Sequence, residues 1–178
     1  MKMETRSAAY CLCILRHGVA VERGSPDFPD DTARPLTPKG KKKLEQIAAG
    51  LVRMGFEPDW IVTSPLTRAE QTAAIVAAAL PSKVPMETCD ALRPGGSDTE
   101  LKAFLERQPG RRTVLLVGHE PDLGRLAARL IGAGRNANLA FKKGGCCLIR
   151  WEERPFDAEG QLLWWLTPRL LGRIAASR

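Results

Sequence analysis

The sequence predicts an α/β fold in which a single three-layer domain covers residues 1–178. Short apolar runs alternate with longer stretches of helical periodicity, a pattern typical of a mostly parallel sheet with helices on both faces. Thr37-Pro38, Ser64-Pro65 and the capping-box spacing of Ser97–Glu100 mark three helix starts. After Gly134, two apolar runs follow each other across a turn-rich segment, which predicts an antiparallel hairpin at the C-terminal edge of the sheet.

In chain order, the first strand is expected at Tyr10–Leu15, an apolar run that ends at a charged residue. The longest segment without a regular pattern, Gly18–Leu36, follows it, and a loop of this length in a compact domain is usually functional. The helix Pro38–Met54 begins at its threonine cap, and the short apolar run Trp60–Thr63 predicts the second strand. The next helix, Pro65–Leu80, is rich in alanine, whose small side chain lets a helix lie close against a sheet.

The second half of the chain continues the same alternation and then ends in the hairpin. Its expected elements are, in order, strand Val84–Glu87, helix Asp98–Gln108, strand Thr113–Val117, helix Pro121–Ile131, and the hairpin strands Cys146–Trp151 and Leu162–Thr167. The pattern predicts no element for the basic C-terminal tail that follows, and its role stays open.

Composition indicates a globular protein: 44% of the 178 residues are apolar, 26% are charged, and the net charge is +7. Apolar residues run throughout the chain, which excludes a disordered charged tail, and five scattered cysteines exclude a disulfide-framed miniprotein. No apolar segment approaches the roughly 20 residues that cross a bilayer, and the N-terminal apolar run is too short for a signal peptide. We therefore expect a soluble cytoplasmic protein without a membrane partner.

The excess positive charge lies partly in Lys39 and Lys41–Lys43 and partly in the tail residues Arg169, Arg173 and Arg178. An acidic partner is one interpretation, although a solvated helix face explains the lysines more simply. Aromatic residues make up only 6% of the chain and do not interleave with the basic positions, so we expect no nucleic-acid partner. With only two histidines, far apart in sequence, and no Cys-x-x-Cys pair, we expect neither a metal site nor a cofactor.

Both histidines follow predicted strands, at the end of the sheet where ligands bind in an open α/β fold. His17 lies within Arg16-His17-Gly18, after the first strand, and His119 follows Gly118, after the fourth strand. Either histidine alone is more simply a surface residue, but their shared placement beside glycine favours a common site. Arg16 and Arg68 add two guanidinium groups, and Arg68 is expected near the start of a helix, where anions bind. These four side chains form a candidate phosphate site.

Four segments together resemble an ordered set of family motifs. They are Leu15–Gly18 (LRHG), Arg34–Gly40 (RPLTPKG), Ser64–Ala73 (SPLTRAEQTA) and Val117–Pro121 (VGHEP). Arg-His-Gly alone is a weak match, but the combination in this order is specific. The chain thus resembles the histidine phosphatase superfamily, which has the phosphoglycerate-mutase-like fold, and within it the compact bacterial protein-phosphohistidine phosphatases.

The resemblance implies that His17 is the nucleophile that becomes phosphohistidine, while Arg16, Arg68 and His119 hold the oxygens of the transferred phosphoryl group. Two neighbouring arginines should lower the pKa of His17 and so keep the attacking imidazole neutral. The same positive groups offset the charge of the phosphoryl group, so the reaction requires no metal.

The chain departs from the larger superfamily members at one point. Those members share a glutamate after the third strand, in a Leu-x-Glu context, that protonates the leaving oxygen, whereas the corresponding segment here, Ala91–Gly96, reads ALRPGG. A substitute proton donor would have to be another carboxylate, and each candidate is also explained as an ordinary surface or capping residue. The candidates are Glu87, Asp90, Asp98, Glu100 and Glu120.

The missing glutamate bears on the substrate. An alkoxide leaving group depends most on a proton donor, whereas imidazole is a far weaker base, so phosphohistidine is favoured over sugar phosphates. The segment between Glu87 and Ser97 is too short for a helical lid, which favours a phosphorylated side chain of another protein. Two alternatives stay open: a phosphatase or mutase that acts on small phosphate esters, and a phosphate-binding module without catalysis.

Overall fold

The computed structural model describes residues 9–134, 137–152 and 155–177, and these contain one six-stranded sheet. Its strands are β1 (Tyr10–Arg16), β2 (Trp60–Thr63), β3 (Met86–Thr88), β4 (Thr113–Gly118), β5 (Cys146–Trp151) and β6 (Gln161–Leu166). They lie in the order β3-β2-β4-β1-β5-β6. The pairings among β1 to β4 are parallel, whereas β5 is antiparallel to both β1 and β6. The predicted parallel sheet with an antiparallel edge hairpin is confirmed.

Helices cover both faces of the sheet. They are α1 (Pro38–Arg53), α2 (Thr67–Ala79), α3 (Asp98–Glu106), α4 (Asp122–Leu130) and α5 (Pro168–Ala176). Buried side chains of α1, α2 and α5 pack on one face, and those of α3 and α4 pack on the other, which confirms the predicted three layers. Within the described ranges, no helix combines the length and the apolar character of a membrane span.

The central strands are buried on both faces, which explains their nearly continuous apolar sequences. In β1, Leu12 faces the core under α3 and α4, and Cys13 faces the core under α1, α2 and α5. The adjacent Cys146 and Cys147 of β5 also face opposite cores, as the alternation of a strand predicts. Burying a leucine side chain in this way contributes about 1.5–3 kcal/mol to folding.

Two of the three predicted helix starts are confirmed. Thr37 Oγ1 accepts a hydrogen bond from the Gly40 backbone N–H at 3.0 Å, and Pro38 occupies the first position of α1. Ser97 Oγ accepts a bond from the Glu100 N–H at 3.4 Å where α3 begins. In both cases a side-chain oxygen pairs with a backbone donor that has no partner inside the helix.

The predicted start of the second helix at Ser64-Pro65 is wrong. The helix α2 begins at Thr67, and Leu66 precedes it without a side-chain cap. The Ser64 hydroxyl bonds instead to the Leu66 N–H at 3.3 Å and to His119 Nε2 at 2.8 Å. Because the Ser64 N–H also donates to the Val117 carbonyl of β4, the chain follows the sheet at this residue and becomes helical only later.

The C-terminal tail, for which the sequence analysis predicts no element, forms the helix α5. The Thr167 side chain caps it by accepting a bond from the Leu170 N–H at 3.4 Å. Leu171 is fully buried among the residues under α1, so this helix belongs to the core. Arg178 lies outside the described residues. The bounds of the other predicted elements agree with the structure to within two residues.

Gly50 of α1 lies against the backbone of α5. A Cβ atom on Gly50 would lie 2.4 Å from the carbonyl oxygen of Leu171, a clash that only a backbone shift relieves. Alanine normally stabilises a helix relative to glycine by about 1 kcal/mol. Here we expect Gly50→Ala to lower the free energy of unfolding by about 1–3 kcal/mol, because the two helices must separate. Urea unfolding measures the change.

Gly172 of α5 provides the matched control, since the nearest atom to its added Cβ is Gln46 Oε1 at 3.9 Å. We expect Gly172→Ala to raise the free energy of unfolding by up to about 1 kcal/mol. Equal stabilisation by Gly50→Ala and Gly172→Ala would contradict the close contact between α1 and α5.

Candidate active site

The two histidines lie side by side because their strands are neighbours in the sheet. The parallel pairing of β1 with β4 places Arg16 opposite Gly118, and the His17 N–H donates to the Gly118 carbonyl at 3.1 Å. His119 follows Gly118 directly. The two imidazole rings are 5.0 Å apart between centroids and are tilted by 52°. Both rings are buried, with His17 7% exposed and His119 3% exposed.

A backbone carbonyl fixes the tautomer of neutral His17. The Nδ1 atom lies 2.8 Å from the carbonyl oxygen of Gly18. A carbonyl oxygen only accepts hydrogen bonds, so Nδ1 carries the hydrogen and Nε2 carries the lone pair. The same glycine is held by a bond from its N–H to Thr72 Oγ1 at 3.1 Å. The backbone thus sets the orientation of the His17 ring and leaves the lone pair on Nε2.

His119 is held from the other side by β2. Its Nε2 atom lies 2.8 Å from Ser64 Oγ, and the Ser64 N–H bonds to β4 at the Val117 carbonyl. The other ring nitrogen, Nδ1, is buried and has no hydrogen-bond partner among the described residues. Sequence reasoning places Ser64 at a helix cap and misses this contact.

The two arginines approach the histidines from different elements. Arg16 ends β1, is partly buried, and donates from Nη1 to the Phe141 carbonyl at 2.6 Å. Arg68, in the first turn of α2, is 2% exposed and donates from Nη1 to the Asp31 carbonyl at 2.7 Å and from Nη2 to its carboxylate at 3.1 Å. Both guanidinium groups are therefore held in place by acceptors of the protein.

Asp31 is a residue of the site that sequence reasoning does not single out. Its carboxylate pairs with Arg23 at 3.0 Å, Arg34 at 2.9 Å and Arg68 at 3.1 Å. Burial acts to raise the pKa of Asp31, but the bond from Arg23 and the charges of Arg68 and Arg34 outweigh it and hold the pKa below its ordinary value. The sequence does contain a signal for Asp31, because this residue lies in the long loop Gly18–Leu36, which is expected to be functional.

Both imidazoles stay neutral near pH 7. Burial is the main cause that lowers the pKa of His17 to about 4; the bond to Gly18 opposes it, and the charges of Arg68 and Arg16 add to it. Burial also lowers the pKa of His119 to about 3, with further contributions from His17 and Arg68. A neutral imidazole retains the lone pair that nucleophilic attack requires.

The site gathers buried polar atoms that no protein group satisfies. Five buried side-chain nitrogen or oxygen atoms among the described residues have no hydrogen-bond partner, and three of them belong to Arg16 (Nε), Arg68 (Nε) and His119 (Nδ1). An unpaired buried donor costs free energy, and a bound group with several oxygens offers the acceptors it needs. This arrangement is suited to a tetrahedral oxyanion.

Of the carboxylates considered as proton donors, Glu120 is the one whose charge acts on Arg16. Burial raises the pKa of Glu120, but its Oε1 atom accepts a bond from the Phe141 N–H at 2.7 Å, so the carboxylate is engaged with the backbone. The other candidates are paired elsewhere or exposed: Glu87 with Trp60, Asp90 with Arg93, Asp98 with Arg129, and Glu100 in solvent.

Comparison with known proteins agrees with this geometry. Residues 12–94 match the family model described as the histidine phosphatase superfamily, branch 1. The phosphohistidine phosphatase SixA of Escherichia coli K12 is 33% identical over 119 residues, which cover 66% of this chain and 71% of SixA. The chain belongs to the histidine phosphatase superfamily. An uncharacterised protein of Picosynechococcus is 39% identical over 142 residues, which cover 78% of this chain and 84% of that protein.

Solved structures of the superfamily share the fold. The structure of the protein histidine phosphatase SixA complexed with tungstate is 26% identical, covers 90% of this chain and 99% of its own, and has a TM-score of 0.76. A phosphoglycerate mutase from Bacillus anthracis, at 16% identity and a TM-score of 0.72, covers 98% of this chain and 100% of its own and shows the same fold.

The neutral state of the two histidines is testable by NMR, because the chain contains only these two. We expect neither ring to titrate between pH 8 and about pH 5, since both pKa values lie well below the ordinary 6.5. The measurement is the pH dependence of the imidazole ¹H–¹³C signals, assigned with His17→Ala. A midpoint between pH 6 and 7 for either ring would contradict the neutral state described above.

The same low pKa values affect stability. Because the folded state resists protonation of the two histidines, the free energy of unfolding should fall as the pH drops below about 6.5.

Proposed function

We propose that this superfamily member is a phosphatase that removes the phosphoryl group from phosphohistidine in other proteins, through a phosphohistidine intermediate on His17. The observation that carries the proposal is the pair of buried neutral imidazoles, 5.0 Å apart, beside the guanidinium groups of Arg16 and Arg68. The likeness to SixA supports it, and the tungstate bound to SixA is a tetrahedral oxyanion like phosphate.

In the first step, the lone pair of His17 Nε2 attacks the phosphorus of the substrate phosphohistidine. A P–N bond forms to Nε2 while the P–N bond of the substrate breaks, and the electron pair of the broken bond stays on the substrate imidazole. When the second ring nitrogen of that imidazole carries a proton, the leaving group departs as neutral imidazole. The step therefore needs no carboxylic acid, in keeping with the Ala91–Gly96 segment that lacks the glutamate of larger relatives.

In the second step, water attacks the phosphorus on His17. A P–O bond forms, the P–Nε2 bond breaks, and the electron pair returns to Nε2. One proton of the water stays on the new oxygen and the other passes to a phosphoryl oxygen, so the product leaves as dihydrogen phosphate. The Gly18 carbonyl retains the hydrogen on Nδ1 throughout, so the phosphorylated ring is positively charged and is a good leaving group. Release of phosphate restores the neutral nucleophile.

Fixed donors stabilise the charge that develops on the phosphoryl oxygens. The guanidinium groups of Arg16 and Arg68 remain charged at any working pH and offer planar pairs of donors. Asp31 and the Phe141 carbonyl hold them in place, so little reorganisation accompanies the reaction. Removing one such donor from an active site typically lowers kcat by about 10²–10³.

His119 is proposed as a further donor, positioned by Ser64. The Ser64 hydroxyl can donate its hydrogen to His119 Nε2, which leaves the proton of the neutral ring on Nδ1. Nδ1 is the buried atom without a protein partner, so in this tautomer it donates to a phosphoryl oxygen. Ser64 then acts as a positioning residue for His119.

The surroundings favour a side chain of another protein as substrate. Between β3 and α3, residues 89–97 contain only the short 3-10 turn Asp90–Leu92, so no helical lid closes from this segment. His17 is 7% exposed, so the phosphoryl group must extend into a recess to reach it. A phosphorylated imidazole that projects from a protein surface fits a site that has no helical lid, and it is long enough to reach a recessed nucleophile.

A substrate panel tests the proposal. Wild type is expected to hydrolyse a histidine-phosphorylated protein and free phosphohistidine with kcat/KM at least about 100-fold above that for sugar phosphates and phosphoglycerates. A chelator should leave the activity unchanged, since the arginines supply the positive charge. His17→Ala should reduce turnover by about 10³-fold or more, because the covalent route is lost. Phosphate release measures each rate.

Lys83→Ala serves as the control, since Lys83 is exposed and lies in the loop that leads into β3, at the opposite end of the sheet. Full activity in His17→Ala would remove the nucleophile assigned here. Faster turnover of small phosphate esters than of phosphohistidine would show that small esters are the preferred substrates. Binding of vanadate without hydrolysis of any substrate would favour a phosphate-binding module.

A further inference from the structure

A basic groove lies where α1, α5 and the turn before β5 meet. It encloses about 670 Å³ and is lined by Val19, Lys43, Lys142, Lys143, Thr167, Pro168, Arg169, Leu170 and Arg173. The helix α5, absent from the sequence-based assignment, provides one wall. The contact between Gly50 and the Leu171 backbone holds that wall against α1.

The charge of the groove is one-sided. Five of the nine lining residues are lysine or arginine, and none is acidic. None of these five forms an ion pair with a carboxylate of the described residues. By contrast, the three arginines of the neighbouring loop and α2 share the carboxylate of Asp31. The groove therefore carries positive charge that the described part of the chain does not compensate.

The groove adjoins the candidate active site through its lining residues Lys143 and Val19. The Gly144 N–H, directly after Lys143, donates to the carbonyls of Arg16 at 3.1 Å and His17 at 3.2 Å. The charge of Lys143 contributes to the low pKa of His17. Val19, another lining residue, follows His17 by two residues. A molecule seated in the groove would therefore lie close to the chain segment that carries His17.

We propose that this groove docks an acidic surface of the phosphorylated protein, with aspartate and glutamate side chains beside the phosphohistidine. The inference rests on the proposed function and names the partner chemistry of the same site. A small ester engages only the residues around His17, whereas a protein surface spans both the site and the groove. Leu170, 43% exposed at the lining, adds an apolar contact of the kind that protein interfaces use.

A protein fits the groove better than a nucleic acid does. Its lining includes no aromatic residue on which a base would stack, and it combines the charges with the apolar side chains of Val19, Pro168 and Leu170. Charges at the edge of an interface act mainly on the rate of encounter and on its salt dependence. The groove should therefore change KM far more than kcat.

The test reverses two groove charges that lie away from His17. Arg169 and Arg173 are both exposed on α5. On a histidine-phosphorylated protein with an acidic surface, the double variant R169E/R173E should lower kcat/KM by about 10-fold or more. The loss should lie in KM and should shrink at high salt. Turnover of free phosphohistidine should stay within about twofold of wild type, since the site itself is intact.

The matched control is R53E/K83E, which reverses two exposed charges, one at the end of α1 and one in the loop that leads into β3. This control should leave kcat/KM unchanged for both the histidine-phosphorylated protein and free phosphohistidine. R169Q/R173Q repeats the test without reversed charge, in case R169E/R173E folds poorly, and should give a smaller loss of the same kind. An equal effect of R169E/R173E and R53E/K83E on the phosphoprotein would overturn the docking proposal.

Binding separates this inference from the proposed function. The unphosphorylated acidic carrier should bind wild type more tightly than R169E/R173E in calorimetry, whether or not any substrate is hydrolysed. Failure of wild type to hydrolyse free phosphohistidine would sink the proposed function while leaving that binding result to decide the docking surface. Tight binding of a short DNA duplex, with none of the acidic carrier, would assign the groove to nucleic acid and overturn the proposal.

Discussion

The parallel pairing of β1 with β4 is the contact on which the site depends. It places Arg16 opposite Gly118, and the bond from the His17 N–H to the Gly118 carbonyl continues it past the strand ends. A slip of one residue would turn every side chain of β1 to the other face and carry His17 away from His119. Because both strands are buried on both faces, the apolar cores specify this register. The geometry of the polar site therefore follows from hydrophobic packing.

Burial of positive charge is the second constraint. Water is largely excluded from Arg68, and the nearby carboxylate of Asp31 offsets part of the free energy that is lost when the guanidinium group is desolvated. The imidazoles of His17 and His119 respond differently, since they stay neutral and add no further charge. The positive charge that remains is what the proposed phosphoryl group would meet, and the lysines and arginines of the basic groove beside α5 add to it. One electrostatic pattern thus serves the proposed chemistry and the proposed docking.

Periodicity and capping predict most of the fold, because they are local. The strand Cys146–Trp151 and the starts of α1 and α3 at Thr37 and Ser97 need no knowledge of distant contacts. The start of α2 depends on Ser64, whose hydroxyl is bonded to His119, 55 residues away. The short helix α5 is stabilised by packing on α1, which the sequence does not display. Which aspartate of the loop reaches Arg68 depends on the loop conformation. The family motifs draw attention to Arg16, His17, Arg68 and His119, but only coordinates give their distances and partners.

In the proposed reaction, neutral His17, with its hydrogen held on Nδ1 by Gly18, attacks through Nε2. The most direct measurement is to quench the enzyme in alkali during turnover, digest it and identify the phosphohistidine isomer at residue 17. We expect phosphorus on Nε2, with a linkage that acid cleaves and alkali preserves. Phosphorus on Nδ1, on another residue, or on no residue under conditions of steady turnover would contradict it.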